Sequence, residues 1–219
     1  MGKTNSYLIK GERGYILIDA GVKDKSDKIQ KALQANNYDF KDIMLIIITH
    51  IHYDHVGSLS EIKKRSNAPV LVHQKAVSKL EQGYTAIPQG TGWFSGIISF
   101  LGNFIFSRQD QFMPIKPDII IDEQYELAKF GINGKIIPAP GHTADSICVI
   151  VDNKYCFIGD TMFNILPKSV FPPFANDKKK LLESWNHIAE LNCEKFFPGH
   201  GKEFSAVKFN KTYNKYLNP

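Results

Sequence analysis

The chain has 219 residues, 43% hydrophobic and 22% charged, with a formal net charge of +5. These values exclude a disordered or low-complexity chain and leave room for a sizeable core. Cys148, Cys156 and Cys193 are odd in number and form no CxxC pair, which excludes a disulfide framework. With no apolar export segment at the start, a cytoplasmic location is expected.

In chain order, SYLIK and GYILIDAG read as two strands around the turn-like GERG, a hairpin. DKSDKIQKALQANN carries Ile29 and Leu33 on one side and predicts an amphipathic helix. IMLIIIT is apolar enough for a strand buried on both faces. SLSEIKKRS then predicts a short helix, APVLVH a strand, and QKAVSKLEQG a helix stopped by Gly83. After a long uncharged segment, DIIID, GKIIPAP, SICVIV and KYCFIGD read as strands, the last two joined by the turn DNK. DKKKLLESWNHIAELN predicts a helix with Leu181, Leu182, Trp185, Ile188 and Ala189 on its apolar side. KFFPGHG is a last strand and loop, and the tail is helical. Hairpins are expected to dominate both halves of a layered α/β domain spanning 1–219, with an apolar insertion or lid at about 84–115.

Chemistry concentrates where strands run out into loops. His50, His52, Asp54 and His55 follow one strand in THIHYDH, His142 lies in PAPGHTADS, Asp160 in FIGDTMF and His200 in FFPGHG. Five of the seven histidines of the chain are in this set. Neutral imidazole and carboxylate are the donors that zinc and similar divalent ions take. Seven donors exceed what one tetrahedral ion uses and suit two ions sharing a carboxylate. Zinc is expected, with manganese or iron as alternatives. Asp19, Thr49, Thr143, Ser146 and Thr161 are candidates for orienting the ligands; each equally reads as a turn residue at a strand end. His73 and His187 fall outside these motifs and read as structural or solvated, and Cys148 as core.

Together THIHYDH, PGHT, GDTMF and PGHG, with YILIDAG upstream, resemble the metallo-β-lactamase-fold hydrolase superfamily over nearly the whole chain. The resemblance implies a four-layer αββα sandwich of two mixed β-sheets flanked by helices. It also implies one ion on His50, His52 and His142, a second on Asp54, His55 and His200, and Asp160 bridging. His52 stands where flavo-diiron members have Glu, which argues against oxygen reduction. No Cys occupies a ligand position, unlike many true β-lactamases. Phe163 replaces the Tyr of acyl-homoserine lactonases. Little chain follows His200, so the helical substrate domain of glyoxalase II is not expected.

These features lead to a dinuclear hydrolase that uses a metal-bridging hydroxide on a small, partly apolar ester, thioester or lactone, with Asp54 and Asp160 as catalytic carboxylates. The alternatives are a ribonuclease-Z-like phosphodiesterase, a mono-iron persulfide dioxygenase, and a metal-binding sensor or partner-binding fold. The partner expected is a small-molecule substrate. Lysines are scattered apart from Lys178–Lys180 and the tail, so no nucleic-acid partner is expected. Tyr84 to Phe106 contains no charged residue. Three readings stand for it: a helix packed on the domain or on a homodimer partner, a lid binding an acyl chain, or membrane contact through 93–106. The lid reading makes Trp93, Phe94, Ile97 and Phe163 substrate-pocket candidates.

Overall fold

The alternation of Tyr15-Ile16-Leu17-Ile18 sets the layering of the first half. The computed structural model describes residues 4–105 and 112–217, and at 94, 98, 102–105 and 217 the backbone alone. In β2 (Tyr15–Ile18), Tyr15 and Leu17 pack outward under helices, while Ile16 and Ile18 pack inward against a second sheet. β3 (Ile43–Ile47) divides likewise, with Leu45 and Ile47 inward and Ile46 outward. A strand covered on both faces needs apolar residues at every position. That explains the unbroken IMLIII run.

The first sheet runs β1 (Tyr7–Lys10), β2, β3, β4 (Val70–His73) and β5 (Ile119–Ile121), in that order. α1 (Ser26–Gln34), α3 (Leu59–Ser66) and α4 (Val77–Gln82) cover its outer face. The second sheet contains β6 (Tyr125–Glu126), β7 (Gly134–Pro138), β8 (Ile147–Val151), β9 (Tyr155–Gly159), β10 (Lys195–Pro198) and β11 (Phe204–Ser205), neighbours in sequence order. α6 (Lys178–Glu190) and α7 (Ala206–Leu217) back it, with Leu181, Trp185, Ile188 and Phe209 in the outer core. The four layers are therefore helix, sheet, sheet, helix. This is the αββα sandwich expected from the motifs.

The expectation of hairpins in both halves needs correction. β7, β8 and β9 do form an antiparallel meander. In the first sheet only β1 and β2 are antiparallel, and β2 to β5 are parallel. Parallel neighbours need long crossovers, which α1, α3 and α4 supply. β9 and β10 are also parallel, with α6 between them. QKAVSKLEQG is likewise not one helix. It starts as a 3-10 turn at Gln74–Ala76, where His73 Nδ1 accepts from Lys75 N at 3.1 Å, before α4 begins. His73 is thus a structural cap, while His187 is exposed and Cys148 is buried in the outer core. The segment 88–105 forms α5 (Trp93–Ile105) and its lead-in; residues 106–111 of the insertion expected there lie outside the described residues. Among the described residues no helix is long and apolar enough to cross a membrane.

Candidate metal centre

Parallel pairing places the ends of β2, β3, β9 and β10 along one rim of the sandwich. His50 follows β3 in a bend and His52 in extended backbone, and the single turn α2 (Tyr53–Val56) then presents Asp54 and His55. His142 stands in the β7–β8 loop, Asp160 directly after β9 and His200 shortly after β10. These side chains gather into two adjoining groups: His50, His52, His142 and Asp160, then Asp54, His55 and His200.

Within the first group, His50 Nε2 lies 2.8 Å from His52 Nδ1, and His142 Nε2 lies 3.2 Å from the same atom. Asp160 Oδ2 is 3.7 Å from His50 Nε2 and 3.5 Å from His142 Nε2. The same carboxylate reaches the second group, at 3.3 Å from His55 Nε2 through Oδ1 and 3.4 Å from His200 Nε2 through Oδ2. His200 Nε2 is also 3.2 Å from Asp54 Oδ2. Asp160 therefore touches both groups.

Asp19 sets the ring orientations. Its Oδ2 accepts from His55 Nδ1 at 2.8 Å and from the Thr49 hydroxyl at 2.8 Å, and its Oδ1 accepts from Thr49 N at 2.8 Å. Because the Thr49 proton goes to Asp19, the hydroxyl oxygen is left to accept from His50 Nδ1 at 3.1 Å. His142 Nδ1 donates to Phe174 O at 2.9 Å. All three rings thus turn their Nε2 inward. Asp19 holds a left-handed backbone, φ 59, which is strained for a non-glycine residue. Gly199 completes the cradle: a Cβ there would overlap the Asp160 carboxylate and the His55 ring.

The residues present fit a pair of cations. His55 Nε2 and Asp160 Oδ1, which face each other across the site, are buried without a hydrogen-bond partner. Unpaired buried polar atoms are costly unless something else satisfies them. Burial pushes His50 well below the usual imidazole range, and neighbouring His55 and His52 add to that. Burial likewise lowers His52 and His142. Burial also opposes charge on His55 and His200, yet Asp160 and the other carboxylates outweigh it. His55 rises well above its ordinary value and His200 to about 9. Burial would raise Asp160 and Asp54, but His55 and His200 hold both below the usual carboxylate range. Neutral imidazoles thus face ionised carboxylates, and protons on His55 and His200 stand where a cation would.

Of the other residues singled out from sequence, Asp19 contacts His55 and Thr49 contacts His50. Thr143 and Ser146 bond each other through their hydroxyls at 2.8 Å, within the loop that carries His142. Thr161 turns toward the outer core, its carbonyl accepting from Trp185 Nε1 at 3.0 Å. Phe163 lies over the centre, its ring centroid 4.6 Å from that of His200 and 6.1 Å from that of His142. Trp93 and Ile97 point outward from α5, and the Phe94 side chain lies outside the described residues.

Two contributors escape the sequence reading. Asp145, fully buried, accepts from Ile51 N, between His50 and His52, at 2.9 Å and from Lys79 Nζ at 2.6 Å. Thr4 donates its hydroxyl to Asp54 Oδ2 at 2.7 Å. The carboxylate three residues after His142, at the mouth of an apolar strand, was the one sequence signal for Asp145.

Residues 1–200 match the model of the metallo-beta-lactamase superfamily. The chain belongs to that superfamily. It is 32% identical to a probable metallo-hydrolase of Methanocaldococcus jannaschii, over 94% of this chain and 92% of that one. It is 22% identical to the human acyl-coenzyme A thioesterase MBLAC2, over 98% of this chain and 79% of the other. The protein TTHA1623, crystallised in a di-iron-bound form, has a similar fold, with a TM-score of 0.68 and 22% identity over 95% of this chain and 93% of that one. This metallo-β-lactamase-superfamily chain is a metal-dependent hydrolase with a His/Asp centre.

Proposed function

We propose that the protein is a dinuclear metallohydrolase that cleaves small, partly apolar esters, thioesters or lactones. The observation that carries this is the contact of Asp160 with both histidine groups directly beneath Phe163. His50, His52 and His142 would hold one ion, Asp54, His55 and His200 the other, and Asp160 both. The all-nitrogen-and-oxygen donor set suits zinc, with manganese or iron as alternatives. Divalent ions held there make hydroxide available near neutral pH and polarise a carbonyl oxygen. Asp54, kept ionised by its imidazole neighbours and steadied by Thr4, accepts a proton from the attacking water and returns it to the leaving alcohol or thiol. Phe163 supplies an apolar wall that orients the acyl part and limits water. The thioesterase name of the human relative supports the thioester member of this substrate class.

The test combines metal analysis with turnover. Two ions per chain are expected, with hydrolysis of p-nitrophenyl esters or acyl thioesters that disappears in His55→Ala. Turnover of bis-p-nitrophenyl phosphate alone would replace the substrate class. One iron with oxygen consumption would overturn the reaction.

A further inference from the structure

We propose that α5 and the lysines beside it form a docking face for an anionic lipid surface. The proposal does not depend on the substrate class above.

Among the described side chains of α5, the buried ones are Ser95 and Ser99, one turn apart, at 9% and 6% exposure. The Ser95 hydroxyl bonds Gly92 N at 3.0 Å and Gly92 O at 3.1 Å, and Ser99 donates to Pro88 O at 2.6 Å. Trp93, Ile97, Phe100 and Leu101 stand in solvent at 81%, 48%, 73% and 48%. Their spacing of i, i+4, i+7 and i+8 makes one stripe along the helix. A helix meant to face water turns polar residues outward. Here Ser95 and Ser99 turn inward while Trp93 and Phe100 turn outward.

Charge selects the occupant. Lys178 Nζ donates to Thr91 O at 2.6 Å, in the turn that enters α5, and exposed Lys179 and Lys180 follow on the first turn of α6. Asp177 lies beside them, 3.9 Å from Lys180. An uncharged apolar helix whose entry turn is held by Lys178, with exposed Lys179 and Lys180 next on α6, matches a bilayer interface, with side chains among the acyl chains and ammonium groups at anionic headgroups. A second copy of the chain, also +5, would bring like charge to the joint, with no acid between Tyr84 and Phe106 to meet it. α5 has 13 residues, too few to span a bilayer, so it lies in the interface. The face is tied to the centre: Thr91 N donates to Pro173 O at 2.8 Å, Gly90 bridges Phe174, and Phe174 O orients His142. Docking would seat the His/Asp rim close to the membrane.

Tryptophan emission tests this directly, because the chain has two tryptophans and Trp185 is fully buried. The full chain is mixed with vesicles of phosphatidylcholine and phosphatidylglycerol in equal parts, then with pure phosphatidylcholine vesicles. A blue shift and co-sedimentation are expected on the mixed vesicles, fading as salt rises, with at least about tenfold weaker binding to pure phosphatidylcholine. The Trp93→Ala, Phe100→Ala double variant, made on exposed positions, loses at least about tenfold in sedimentation. Replacing Lys178, Lys179 and Lys180 by Gln flattens the salt dependence. No partition of the wild-type chain would overturn the proposal. So would a blue shift that grows with protein concentration and doubles the mass without vesicles, or one produced only by a soluble acyl ester.

Discussion

At the residue scale the centre depends on atoms that are absent as much as on those present. Gly199 is needed because a Cβ would push into Asp160 and His55. Gly199→Ala is expected to lower kcat/KM about a hundredfold with little change in far-ultraviolet dichroism, since small misplacements of reacting groups are costly. Asp145 works from further away, holding Ile51 N between two ligands while Lys79 balances its charge. Asp145→Ala removes the acceptor for both donors. Lys79 is about a third exposed and can turn to water, so the expected loss is about 2–3 kcal/mol by urea unfolding, at the low end for a broken buried pair. The seven donors gathered at the rim stand out in the sequence because imidazoles and carboxylates crowded at the ends of apolar strands are costly to bury unless they bind something. Asp145 is not legible, because a single Asp before a strand looks the same whether it caps a turn or holds a backbone ninety-four residues away.

At the element scale, helices hold the ligand loops in place. Trp185 of α6 fills the outer core and donates its indole N–H to Thr161 O, immediately after Asp160. Trp185→Phe keeps most of the packing and leaves that carbonyl unpaired. A cost of about 1–2 kcal/mol is expected by thermal denaturation, together with weaker metal retention in a chelator titration. The apolar face of α6 is readable from its spacing, and all five positions named from sequence are buried or half-buried. The orientation of α5 is not readable. Its run is apolar nearly all round, and only contact with residues 88–92 decides that Ser95 and Ser99 turn in and Trp93 and Phe100 turn out.

At the scale of the whole molecule, the two sheets meet at a rim where strand ends bring charge together. Removing metal leaves protons on His55 and His200 in place of cations. The His200 value, raised from 6.5 to about 9, has a definite consequence for the metal-free protein. A raised folded-state value means its contribution to stability is complete below about 6.5 and is lost as pH rises through about 9. Chelator-treated protein is therefore expected to melt at progressively lower temperature across that interval. Metal-loaded protein is expected to melt higher, with a flatter profile, because the ions replace those protons. Differential scanning calorimetry from pH 6 to pH 10 with and without chelator reads both; equal slopes would contradict the protonation pattern.

By itself the sequence determined the donor set, the superfamily and the layered class, because these rest on local chemistry: ligand types at strand ends and apolar runs of fixed period. Tertiary structure alone decided the parallel order of β2 to β5, the shared contact of Asp160, the reach of Asp145 and the outward face of α5. Each depends on groups far apart in the chain that become neighbours only when the two sheets close on one another, and no spacing within a segment encodes that distance.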